Sequence, residues 1–124
     1  MVSDRHPVVG SWRVSVEIPG APATMINLTT LSLDGGVVVA FPSPTPAAPG
    51  SGHRLEYWTT ALGRWEPTGD TTGKMSFVSL GADENGTAIG THTISASATA
   101  AAGGQSWSGP FTITIAGADG ATLA

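Results

Sequence analysis

Ser11-Trp12-Arg13-Val14-Ser15-Val16-Glu17-Ile18 alternates without a break. Trp12, Val14, Val16 and Ile18 fall on one side, and Ser11, Arg13, Ser15 and Glu17 on the other. Successive side chains of a β-strand project to opposite faces, so this stretch reads as a strand with one face buried and one wet. The same pattern returns near the other end, from Ser106 to Ala116. There Trp107, Phe111, Ile113 and Ile115 share one face, with Ser108, Thr112 and Thr114 opposite. No window of helical length carries apolar residues at i, i+3, i+4 and i+7 without a Gly or Pro intervening.

Between these two strands the 17 glycines and 9 prolines act as punctuation. They separate short runs rich in Val, Ile, Thr and aromatic residues. Pro19-Gly20-Ala21-Pro22 turns the first strand, and Thr24 to Leu33 returns. Asp34-Gly35-Gly36 signals a hairpin into Val37 to Phe41. Residues 42–52 are crowded with proline, which cannot donate to a ladder, so they predict a long loop over one end of the fold rather than a linker. Strands follow at Arg54 to Leu62, around Gly63 to Glu66, and at Lys74 to Leu80. The Asn85-Gly86 pair favours a tight hairpin into Thr87 to Thr99, and Gly117-Ala118-Asp119-Gly120 starts one more before Ala121 to Ala124. The expected fold is therefore all-β: a single domain over residues 1–124, forming an antiparallel up-and-down β-barrel of eight or nine short strands. A two-sheet sandwich is the alternative. Closure removes exposed edges. The final segment is short for a closing strand, so the seam is expected to rely on the N-terminal strand or on another subunit, the second of which would make a homo-oligomer.

Composition excludes several functions. In the 124 residues, five Lys and Arg against nine Asp and Glu give a net charge of −4, and the basic residues are scattered. Nucleic-acid binding needs clustered cations. Charged residues are only 11% and hydrophobic ones 40%, the balance of a folded chain rather than a disordered one. The absence of cysteine removes disulfides, thiolate nucleophiles and Cys-based metal sites. Met1 to Pro7 has no signal-peptide core and no stretch is long enough for a membrane span, so the chain as written reads as cytoplasmic, or as secreted if a leader has been removed. His6, His53 and His92 lack second ligands at metal spacing. Ser108 is not in a nucleophile elbow. Asp83-Glu84-Asn85-Gly86 lacks the alternating ligands of a calcium loop. No phosphate loop or dinucleotide fingerprint is present, so no cofactor is implied.

Gly10-Ser11-Trp12, opening the first strand, resembles the Gly-X-Trp signature of the calycin superfamily, lipocalins above all. The resemblance implies an eight-stranded barrel whose closed end is plugged by the tryptophan. A basic residue that lipocalins place over that ring has no counterpart, since no Lys or Arg follows Lys74. Gln105-Ser106-Trp107-Ser108-Gly109 is similar to an avidin strand, without the early polar ligand set of avidins.

Inside such a barrel, parity selects candidate site residues. Thr87 to Thr99 puts Ala88, Gly90, His92, Ile94, Ala96 and Ala98 on its apolar face, so His92 points inward among small residues. The same argument over Arg54 to Leu62 turns Leu55, Tyr57, Thr59 and Ala61 inward, leaving Trp58 on the more polar side as a rim residue. Tyr57 and His92 would then be polar fixtures in an apolar cavity, the usual make-up of a small-molecule pocket. Trp58 and Trp65 would line the mouth, while Trp107 and Phe111 supply aromatic wall. The commoner roles weigh beside these: core filling for Trp12 and Trp107, and a hydrogen-bonded buried imidazole for His92. Three functions follow. The first is binding of a small, largely apolar molecule by Tyr57, Trp58, Trp65, His92, Trp107 and Phe111. The second is a cofactor-free isomerase, cyclase or hydrolase with His92 as acid or base and Tyr57 as oxyanion donor. The third is a packed, ligand-free barrel associating through Trp58, Trp65 and the Pro-rich loop.

Overall fold

In a computed structural model the alternating stretches become neighbours in one antiparallel sheet; residues 6–17, 25–47, 52 and 54–117 are described. The strands are β1 (Gly10–Val16), β2 (Met25–Leu31), β3 (Gly36–Ala40), β4 (Thr45–Pro46) and β5 (Leu55–Trp58), then β6 (Ala61–Pro67), β7 (Thr72–Asp83), β8 (Ala88–Ala100), β9 (Trp107–Ser108) and β10 (Phe111–Ala116). Their main order is β1-β2-β3-β6-β7-β8, with β9 and β10 both along the far side of β8. No helix occurs among the described residues.

The all-β, antiparallel expectation holds, and closure does not. Among the described strands β10 pairs only with β8, and β1 only with β2, so the sheet is not closed into a barrel. The strand count is ten because expected runs are subdivided and the Pro-rich loop contributes the two-residue β4. Calls on residues 18–24 and 118–124, including both turns there, lie outside the described residues, as do 48–51 and His53.

Cross-strand register explains the core. Gly10, Leu31, Val37, Gly63, Phe77, Ile94 and Ile113 form one row across the seven main strands. Paired residues share a face, so this row and its neighbours define the inner side. Leu31, Val37, Val39, Ala61, Trp65, Met75, Phe77 and Ala98 are buried on it, together with Val8 from the segment before β1. Trp12 of β1 meets Trp107 of β9 edge-to-face at 6.2 Å, although the two strands lie on opposite sides of the sheet. The sheet therefore curls until its two sides approach at that end.

The hairpins follow their sequence chemistry, with one difference. At residues 83–87, Gly86 donates to the Asp83 carbonyl and Asp83 N–H to the Thr87 carbonyl, while the Asp83 carboxylate accepts Asn85 and Thr87 N–H. Gly86 has φ +80°, but among the described residues no non-glycine residue has positive φ. The turn is thus a type I turn closed by a left-handed glycine, not the primed two-residue turn that Asn-Gly suggests.

Candidate functional site

The inner face has a closed end and a less closed end. At the closed end, His6 fixes the segment before β1. Its Nδ1 accepts Val8 N–H at 3.2 Å, which leaves Nε2–H to donate, with the Gly69 and Thr72 carbonyls each 3.0 Å away. Its ring meets Trp65 edge-on at 5.2 Å. Trp12 Nε1 donates to the Val8 carbonyl at 2.9 Å, and Trp65 Nε1 to the Ser32 carbonyl at 2.7 Å. Trp107 Nε1 is buried without a hydrogen-bond partner. Trp65, expected at the mouth, is instead 7% exposed in the core. Its alternation with Leu62, Arg64 and Glu66 places it on the inner face with Ala61 and Gly63. Phe111 lies opposite Ala96, in line with Met75 and Trp65, so it belongs to this end, as does Trp107.

The other end gathers different chemistry. His92 is on the inner face, as parity predicts: it pairs with Ser79 on one side and Ile115 on the other. Trp58 lies over it, with ring centroids 3.5 Å apart and planes 20° from parallel. The Trp58 indole N–H donates to Glu56 Oε1 at 3.0 Å. Room for the indole comes from Gly81, the register partner of Trp58: a Cβ there would stand 2.6 Å from the ring. Ser79 is buried and donates to the Thr59 carbonyl at 2.6 Å. Two further buried polar groups face inward from β2, Asn27 and Thr29, bonded to each other at 2.7 Å.

This arrangement reverses the expected roles of Tyr57 and Trp58. Tyr57 is 40% exposed and points outward; Trp58 points in. The cause is a β-bulge. Trp58 pairs with Gly81 and Leu62 with Val78, so Thr59, Thr60 and Ala61 oppose only Ser79 and Leu80. One extra residue flips parity, so even-numbered Trp58 and odd-numbered Ala61 both face inward. Thr59 seals the irregularity through N–H to the Leu80 carbonyl and through its hydroxyl, which accepts Leu80 N–H, both at 2.9 Å. A second bulge lies across β7, where Gly81 pairs with Gly90 but Ala82 with Ala88, leaving Ile89 unmatched.

Electrostatics keep the site uncharged at its centre. Burial lowers the His92 pKa below its ordinary value, and the Glu56 carboxylate pulls it part of the way back. The imidazole is consequently neutral at pH 7. The Ser79 hydroxyl is directed to the Thr59 carbonyl and not to the His92 imidazole. Glu84, from the β7–β8 turn, accepts the backbone N–H of Arg54 at 3.1 Å and of Leu55 at 3.3 Å, tying down the start of β5. Its carboxyl is held below the ordinary carboxylate value by its own N–H and then by those two donors.

Two open grooves adjoin these ends. One of about 270 Å³ borders Trp58 and Gly81, with Tyr57, Thr59, Leu80 and Ala82. A wider one of about 760 Å³ crosses residues 64–66, 74–76, 95–97 and 110–112. Its charged lining is exposed, with Lys74 paired to Glu66 at 2.9 Å, the composition of a solvated surface. Among the described residues no group of His, Asp and Glu could hold a metal ion, and no helix is long and apolar enough to cross a membrane.

Of the six residues singled out in the sequence, the structure brings together Trp58 and His92. It adds Glu56, Ser79 and Gly81, which the alternation alone does not select.

No family model, curated protein or solved structure matches the chain.

Proposed function

We propose that the protein is a binding module for a small, largely apolar molecule, held beside the Trp58–His92 stack in a calycin-like, curled sheet. The observation that supports this most directly is the stack itself, seated over Gly81 with Glu56 on the indole nitrogen. Small-molecule sites combine aromatic and aliphatic walls with a few fixed polar groups, in volumes of roughly 300–1,000 Å³. The groove at Trp58 is near the lower bound, which favours a compact ligand. A neutral imidazole beside a carboxylate suits a ligand with an uncharged hydrogen-bonding group, such as a hydroxyl or ketone. The Gly10-Ser11-Trp12 resemblance supports the same reading: it implies a tryptophan plugging one end, and Trp12 packs edge-to-face against Trp107.

The test is intrinsic fluorescence against a panel of lipids, terpenoids and polyketides. Saturable quenching or shift is expected with at least one class, lost in Trp58→Phe and retained in Trp12→Phe. A wild-type spectrum unmoved by the whole panel would overturn the reading.

A further inference from the structure

Among the buried polar side chains of the inner face, the hydroxyls of Thr29 and Ser79 are both spent. Thr29 donates to Asn27 Oδ1 at 2.7 Å, and Ser79 to the Thr59 carbonyl at 2.6 Å. Asn27 keeps something in reserve. It is 6% exposed, and the bond from Thr29 is the one its side chain makes among the described residues. That bond uses the carboxamide oxygen and leaves the two N–H donors of Nδ2 without a protein acceptor. A carboxamide taken out of water in this way loses hydration that nothing in the fold returns, and asparagine is a poor strand former besides. Leu31, four positions along the same face of β2, shows that an aliphatic side chain serves where only packing is needed.

The place of Asn27 fits a ligand contact. β2 is one strand in from β1, and β8 one strand in from β10, on the two sides of the sheet that approach at the Trp12–Trp107 contact. Asn27 opposes Val14, beyond the Trp12–Thr29 pair as β1 leaves that contact, and His92 opposes Ile115 on the other side. The inward side chains of Val14, Val16, Ile113 and Ile115 are half-buried, whereas Val37, Val39 and Phe77 on the central strands are buried. The inner face is thus less completely covered along β1 and β10, beside the strands that carry Asn27 and His92, than at the middle of the sheet.

Charge narrows the group that Asn27 would meet. Arg13, Arg54, Arg64 and Lys74 are all exposed, so none of them neutralises a carboxylate or phosphate on the inner face. An N–H donor with no cation beside it matches an uncharged oxygen acceptor, such as the carbonyl of a ketone, aldehyde or ester.

We propose that Asn27 Nδ2 is a specificity-determining donor that binds the carbonyl oxygen of the ligand, so that the site selects carbonyl compounds over hydrocarbons of the same shape. This rests on the binding reading above and adds the class of compound.

The experiment titrates menthone and p-menthane, one ring skeleton with and without a ketone oxygen, into wild type and Asn27→Leu by intrinsic fluorescence. In parallel, the side-chain amide signals of isotope-labelled wild type are followed by NMR, a readout that needs no variant to fold. Wild type is expected to bind menthone about tenfold more tightly than p-menthane, because the hydrocarbon leaves Nδ2 unpaired. Asn27→Leu is expected to bring the two within about twofold by weakening menthone alone. Menthone, and not p-menthane, is expected to shift the Asn27 N–H signals. Equal binding of both compounds by wild type overturns the proposal and leaves the binding reading standing. So does a preference that Asn27→Leu retains, or an Asn27 signal that bound menthone does not move. A wild type that binds neither compound overturns the proposal, and only silence across the whole panel removes the binding reading as well.

Discussion

The two ends of the inner face belong to one sheet, yet they do opposite things. Where Val8, Trp12, Trp65 and Trp107 converge, the indoles are committed to packing, and two of their N–H groups end on backbone carbonyls. Where Trp58 meets His92, the indole N–H ends on a carboxylate and its ring on an imidazole. The first end is built from groups that gain by leaving water. The second keeps half-buried groups that can exchange a water contact for a ligand contact. Aromatic content alone therefore does not mark a site; the partner of the indole nitrogen separates the two uses.

Breaking the closed end should cost most. Trp65→Ala is expected to lower the unfolding free energy by about 3–5 kcal/mol in urea titration, because it empties a core position and frees the Ser32 carbonyl. The same end contains an internal control. Trp12→Phe loses a hydrogen bond to Val8, whereas Trp107→Phe removes a buried donor that has no partner. Trp12→Phe should therefore be the more destabilising of the two by about 0.5–1.5 kcal/mol, and equal effects would argue that the Val8 bond contributes nothing.

At the other end Gly81→Val should displace the indole rather than unfold the sheet. A cost of about 1–3 kcal/mol is expected from overpacking. Its clearer sign is spectroscopic: the His92 ring protons, shielded by the stacked indole in wild type, should move toward unstacked values. Unchanged shifts would mean that the stack does not depend on the space above Gly81.

The smallest effect is a pH dependence. The folded His92 has a pKa below the unfolded value, so above about pH 6.5 both states are neutral there and nothing is lost. As pH falls through that value the unfolded state takes up the proton first, and stability declines until the folded pKa is reached. Asp34 and Glu84 act in a lower window. Their carboxyls are depressed, chiefly by the Ser32 hydroxyl and by the Glu84 N–H respectively. Their contribution is present above the ordinary carboxylate range and lost as pH falls through the lowered values. His92→Gln should flatten the upper limb of a pH–stability curve and leave the lower one. A curve with both limbs intact would remove His92 as the cause.

Much of this was legible in the residues. The alternation at Trp12–Val16 and Phe111–Ile115 marked β1 and β10 with their inner faces, and the parity of Gly90 to Ala98 turned His92 inward, because these stretches pair without a register shift; the run from Ser106, read as one strand, is divided at Gly109–Pro110 into β9 and β10. Trp65 was misplaced at the mouth, although Arg64 and Glu66 on either side leave it only the inner face. Tyr57 and Trp58 were not legible. Their orientation depends on the extra residue at Thr59–Thr60, and two threonines carry no mark that distinguishes a bulge from a straight strand. Glu56 acquires its role from the same event, and Glu84 from a contact between segments thirty positions apart in sequence. The exposed leucines of the outer face, Leu28, Leu62 and Leu80, escaped for a different reason: alternation sorts residues into two faces but does not say whether the second face stays wet.

The bulge also sets what kind of genetic change could rewrite the site. Trp58 faces in because the bulge lets it pair with Gly81 while Leu62 pairs with Val78. Deleting Thr60 alone would leave Thr59 and Ala61 opposite Leu80 and Ser79, so Trp58 would still pair with Gly81 and still face in. A straightened strand with every residue kept would instead set Trp58 opposite Ala82 and turn Tyr57 inward, so the site tolerates losing a residue here but not losing the irregularity.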